Sequence, residues 1–199
     1  LMSNSGIFGV NDIRHLMDTQ QWSSVGDLEL IETQNAGGYQ NIEFEGYEGY
    51  NAHLLVVNNH IFPAGSHHYG IRFYESGVLE SGTVYHEASN EGGFAGNYYD
   101  NKDTDNNYIR VDNTSSESLH ESYHMYFYNL LDESKYSWLS YNRIMMRYAS
   151  NGNANENGSY YQFGSGCLPQ KSVVDKIQVY SSAITASSGS LSLYGIKGS

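Results

Sequence analysis

From Leu28 onward, apolar residues recur at every second position in short runs, and Gly, Asn and Ser interrupt the runs. Two is the side-chain period of a strand, so a chain that repeats it this often must bury one face of a sheet against another. Ile42 and Phe44 against Glu43 and Glu45 make one such run, and Ile71 and Phe73 against Arg72 and Tyr74 make another. Leu54 to Val57 is apolar on both faces, which predicts a central strand. Further strands are expected from Leu28 to Ile31, Thr83 to His86, Tyr108 to Val111 and Tyr123 to Leu130. The series continues from Tyr141 to Tyr148, Tyr160 to Phe163, Val174 to Tyr180 and Leu191 to Ile196. Composition agrees, because 19 Tyr and 21 Gly with 2 Pro suit pleated surfaces joined by tight turns. The expectation is an all-β fold, an antiparallel β-sandwich or jelly roll of about ten short strands. No repeat of fixed period points to a propeller or β-helix.

Two stretches break the rhythm. Val10, Ile13, Leu16 and Met17 recur at helical spacing with Asn11 or Asp12 placed to cap, predicting a short helix that ends by Trp22. The organisation expected is therefore an N-terminal helix and anchor over residues 1–26 and a β-sandwich domain over 27–199. A helix this short is marginal alone, so its stripe must pack on the sheet or on a neighbouring subunit. Ile13, Leu16 and Trp22 are the assembly candidates. Ala88 to Asn107 reads as a long Gly/Asn/Asp loop, either exposed and mobile or functional. Asn151-Gly152 and Asn157-Gly158 mark turns between Arg147 and Tyr160.

Charge and cysteine content narrow the function. Ten Lys and Arg against 22 Asp and Glu leave a formal charge of −12, the wrong sign for a nucleic-acid backbone or an anionic membrane surface. No apolar run approaches bilayer length, so no membrane insertion is expected. Residues 1–6 have neither a basic nor an apolar leader region, which predicts no Sec export. The single cysteine, Cys167, forms no internal disulfide and no paired-cysteine zinc site.

The motifs for chemistry are few. His120-Glu121-Ser122-Tyr123-His124 is a literal H-E-x-x-H, which on a helix would set two imidazoles one turn apart for zinc and a glutamate beside the bound water. Tyr123, Met125 and Phe127 alternate as a strand, however, and the third ligand would have to come from Asp132, Glu133, Glu156 or Asp175, none at a metalloprotease spacing. The strand reading is preferred, and the zinc metalloprotease is the weakest candidate. Asp103-Thr104-Asp105-Asn106-Asn107 resembles the first half of a calcium loop, but Tyr108 and Thr114 stand where glycine and glutamate belong, so a cation over residues 100–107 is the lesser reading. There is no phosphate-binding glycine loop and no nucleophile elbow, so neither a cofactor nor a catalytic residue is expected. Tyr74, Tyr126 and Tyr128 fall on the polar side of their strands and are the binding candidates. Outward tyrosines suit subunit contact first and stacking on sugar rings second.

Gly9-Val10-Asn11-Asp12-Ile13-Arg14 followed by Trp22, and the ending Ser188-Gly189-Ser190-Leu191-Ser192-Leu193-Tyr194-Gly195-Ile196-Lys197, are similar to virion proteins of tailed bacteriophages, with a shared C-terminal Leu-Tyr-Gly-Ile strand. Ile42 to Tyr50, Leu54-Leu55, Ile71 to Tyr74 and Val174 to Ile177 fit the same group, while residues 80–170 diverge. The resemblance implies a non-enzymatic structural component of the particle, either a tail fibre or receptor-binding adhesin or a capsid decoration protein. It implies a homo-oligomer or multi-copy component, assembled in the host cytoplasm and located in the virion. Its partners would be other virion proteins and copies of itself, with a host-surface glycan or protein added for an adhesin. A carbohydrate-binding β-sandwich module is the rival reading.

Overall fold

Alternating burial sorts the runs into two sheets. The structure is a computed structural model that describes residues 28–63, 68–93, 96, 98–111, 118–148, 158–182 and 185–197. In chain order the strands are β1 (Leu28–Asn35), β2 (Asn41–Phe44), β3 (Ala52–Phe62), β4 (Tyr69–Glu75), β5 (Val78–Leu79), β6 (Tyr85–Gly93) and β7 (Tyr98–Asn106). They continue with β8 (Ile109–Arg110), β9 (Ser118–Tyr128), β10 (Tyr136–Tyr148), β11 (Gly158–Lys171), β12 (Val174–Ser181) and β13 (Ser188–Ile196). The larger sheet runs β1-β13-β3-β9-β10-β11-β6-β7, and the smaller runs β2-β12-β4-β5 with β8 also on β4. Every pairing among the described residues is antiparallel. The expected all-β sandwich is the observed fold, and β3, containing Leu54 to Val57, lies inside the large sheet as its two apolar faces require.

The core lies between the sheets. Leu55, Met125, Phe127 and Leu139 of the large sheet face Phe44, Ile71, Phe73 and Ile177 of the small one, all fully buried. Each such side chain contributes roughly 1.5–3 kcal/mol, so this layer dominates the stability of the fold. Close approach on one flank depends on two glycines. A Cβ on Gly166 of β11 would lie 2.3 Å from Ile109 Cγ2, and one on Gly70 of β4 would lie 2.4 Å from the Tyr108 ring. Short β8 thereby fits between the sheets and closes that side.

The stretch from Ala88 to Asn107 is not a loop. Its ends form a hairpin in which Glu87 pairs with Asp103, Asn90 with Asp100 and Gly92 with Tyr98. β7 is polar on both faces, so no alternation betrays it, and its backbone ladder to β6 makes it a strand at the sheet edge. Pro169 sits near the end of β11, where the register with β10 shifts between Tyr136 and Ser137 and no ladder hydrogen bond is lost. The expected N-terminal helix, with Ile13, Leu16 and Trp22, lies outside the described residues, as do Asn151-Gly152 and Asn157.

Candidate functional site

β9 is a strand, so His120 and His124 point to one side of the sheet and Glu121 to the other. The one-turn pairing that a shared zinc requires is not formed. Glu121 is 2% exposed and receives the guanidinium of Arg143, itself 2% exposed, through Nε at 2.7 Å and through Nη2. Arg143 Nη1 donates to Gln162 Oε1 at 3.0 Å and to the Val111 carbonyl at 3.2 Å. Gln162 Nε2 donates in turn to Ser89 Oγ and the Tyr141 hydroxyl, each at 3.1 Å. His60 joins from β3, with Nδ1 3.7 Å from Glu121 Oε1. A bulge brings it there: Asn59 adopts φ 50°, and the register slips between Val57 and His60, which turns His60 inward. The arrangement commits the glutamate to a buried ion pair through Oε2, with the imidazole of His60 nearest Oε1, and not to activating water.

The acidic stretch over residues 100–107 is likewise folded on itself. Asp103 Oδ1 accepts the backbone N–H of Thr104 at 2.7 Å and of Asp105 at 3.1 Å. Among the described residues, no group of three or more metal-ligating side chains converges.

The three candidate tyrosines occupy two different surfaces. Tyr74 lies on the outer face of the small sheet, where its hydroxyl donates to Glu43. Glu43 also accepts Gln178 Nε2 at 3.0 Å and Lys176 Nζ at 3.3 Å, and Lys176 lies 5.1 Å from the centre of the Tyr74 ring. Burial raises the Glu43 carboxyl, but the donors from Tyr74, Gln178 and Lys176 outweigh it and hold the group below its ordinary range. Burial and the bond to Glu43 push the Tyr74 phenol up to about 12, so it remains a committed donor. Arg72 covers the Tyr180 ring at 3.6 Å on the same face.

Tyr126 and Tyr128 stand on the outer face of the large sheet, and the structure joins them to Trp138, which the sequence reading did not single out. Tyr128 stacks on Trp138 with centroids 4.3 Å apart and planes at 21°, and Tyr126 stacks on Tyr128 at 6.5 Å. Farther along the same face Tyr161 and Phe163 stack at 6.4 Å with a 4° interplanar angle. Beside them Ile144 is 67% exposed, and Met146 is also exposed. These rings and aliphatic chains put exposed apolar surface on this side of the sheet. Between the two edge strands this face carries no acid. The carboxylates carried by the six strands from β13 to β6, namely Glu87, Glu91 and Glu121, are all buried on the inner face.

A hollow crosses this face at right angles to the strands. Its floor is a cross-strand row of small residues, with Ser140 of β10 opposite Ser165 of β11 and Ser165 opposite Ala88 of β6. One wall is the neighbouring row of Trp138, Cys167 and His86; the other is Asn142, Phe163 and Asn90. The half nearer Trp138 encloses about 680 Å³ and the half nearer Phe163 about 930 Å³, and the two share Ala88, Lys102 and Ser165. Asn90 Nδ2 donates to Asp100 Oδ1 at 2.6 Å at the β7 end. Burial pushes the Cys167 thiol up, so it stays protonated there. The groove was detectable in part: outward triplets with their smallest member in the middle occur at Trp138-Ser140-Asn142, Phe163-Ser165-Cys167 and His86-Ala88-Asn90. Only the strand register aligns their small members. The chain matches no protein-family model, no curated protein and no solved structure.

Proposed function

We propose that this chain is a structural protein of a tailed-bacteriophage particle, a tail-fibre adhesin or a capsid decoration component, that works by surface contact and not by bond chemistry. The observation that carries the reading is the outer face of the six strands from β13 to β6, which exposes Trp138, Ile144, Met146, Tyr161 and Phe163 and holds no carboxylate, on a chain of net charge −12. Such a face loses little desolvation energy when it meets a partner, while the acidic remainder keeps unassembled copies soluble. The similarity of its two ends to phage virion proteins supplies the biological setting. Ile144, Met146 and Tyr161 form the docking end of the face, and copies of the chain or neighbouring virion proteins are the partners.

Immunogold electron microscopy with antibody to the purified chain, applied to tailed particles whose DNA encodes it, tests this. Label on tails or heads is expected; label confined to non-viral fractions overturns it. The rival carbohydrate-binding module is favoured by the groove beside Trp138. It predicts a soluble monomer with sugar affinity and no particle label.

A further inference from the structure

The groove specifies its occupant more closely than a contact surface does. Its walls combine ring faces with amides, the groups that match a sugar's C–H faces and its hydroxyls, each of which both donates and accepts. Trp138 is 41% exposed even though Tyr128 stacks on it, so part of the indole is available to a ligand. Asn142 is exposed on the opposite wall, and Asp100 holds Asn90 in place at the far end. Trp138 and Asn142 are four positions apart on β10, setting the walls roughly 13 Å apart at the backbone. The small-residue floor from Ser140 on β10 to Ala88 on β6 crosses two strand spacings, roughly 10 Å, with Tyr126 and Lys102 next in the row at its two ends. That is a trough with a floor about two linked pyranose rings long.

Charge and backbone geometry exclude the other linear polymers. An anionic chain would meet the field of a −12 protein and Asp100, with Lys102 the one basic side chain at the trough. A cationic peptide would want carboxylates along the floor, where Ser140, Ser165 and Ala88 stand. A peptide strand would want free backbone donors, but the ladders of β10 and β11 are paired on both sides and the trough crosses them at side-chain level.

We infer that the trough bounded by Trp138 and Phe163 is a binding site for an uncharged, linear saccharide chain, its rings stacked on Trp138 and its hydroxyls held by Asn142, Asn90 and Asp100. The inference rests on the reading of this face as the contact surface, and it assigns recognition to the Trp138 end and docking to the Ile144 end.

Affinity electrophoresis of the full chain through gels containing dextran, mannan or galactan, with alginate and heparin as anionic controls, tests it. Retardation by at least one neutral polymer and by neither anionic one is expected. Trp138→Ala weakens that retardation by at least about tenfold, the scale of a buried aromatic anchor. Ser165→Phe fills the floor and abolishes it while the melting temperature holds, since the position is exposed. The gels read sugar binding alone and immunogold labelling reads the particle alone, so failure of the particle assignment and failure of the sugar assignment give different results. No retardation by any neutral polymer, stronger retardation by alginate or heparin, or an unaffected Ser165→Phe variant overturns the inference.

Discussion

On β10, Arg143 and Ile144 are neighbours in sequence and opposites in surroundings. The guanidinium is sealed between the sheets with Glu121, Gln162 and the Val111 carbonyl, while the aliphatic chain stands in solvent among Tyr161 and Met146. The same inversion runs across the strands, with Glu91 and Glu121 inside and Tyr161 and Phe163 outside. Alternation therefore divides the faces of this sheet without saying which polarity is interior. Leu139, Tyr141 and Met145 set the inward parity of β10, and Arg143 follows them because a strand cannot turn one residue over without turning all. An interior charge survives only when its partners are in place, whereas an exposed apolar side chain costs the fold little and is kept for another surface.

The inner side of this comparison is the easiest to break. Arg143→Met leaves Glu121 buried without its cation and lowers stability by about 3–5 kcal/mol in urea unfolding. Replacing both residues by Met restores most of that loss. A single variant as stable as the wild type would mean that the pair is solvated in solution and the faces differ less than drawn.

At the other end of the inner face, His53 packs edge-on against the Tyr47 and Tyr50 rings, and burial depresses its pKa from 6.5 to about 4. The folded chain thus binds fewer protons than the unfolded one between these values. Stability present above pH 6.5 is lost as the pH falls to 4, by up to about 3 kcal/mol. His53→Leu flattens that slope in pH-dependent thermal melts; an unchanged slope would assign the acid sensitivity elsewhere.

The outer face of the small sheet is the reference for an ordinary polar surface. Tyr74→Phe removes one donor from Glu43 and costs about 1 kcal/mol by chemical denaturation. The smallest effect belongs to the outer face of the large sheet, where Ile144→Thr changes stability by less than about 0.5 kcal/mol. Its expected signature is weaker retention on a hydrophobic-interaction column. A large loss of stability there would show that the exposed face already supports the fold.

Much of this was readable from residues alone. Ile42 and Phe44, Ile71 and Phe73, and Ile177 and Val179 announce their inward faces because their neighbours are charged or amide side chains. Tyr126 and Tyr128 were legible as outward by parity with Phe127. Tyr74 was legible as outward too, but not its commitment to Glu43, since the partners Lys176 and Gln178 arrive from a strand more than a hundred positions away. β7 was illegible because an edge strand polar on both faces has no burial pattern to display.

The run of side chains by itself determined that this chain makes strands, that they stack in two layers and that tyrosines line an outer surface, because alternation and turn residues act within a few positions. Only the tertiary structure decided that Arg143 is inside, that His60 turns inward through the bulge at Asn59, and that Ser140, Ser165 and Ala88 line up as the floor of a groove. Those outcomes depend on register between strands far apart in sequence, and register is chosen by the packing energy of the whole sandwich rather than by any one segment.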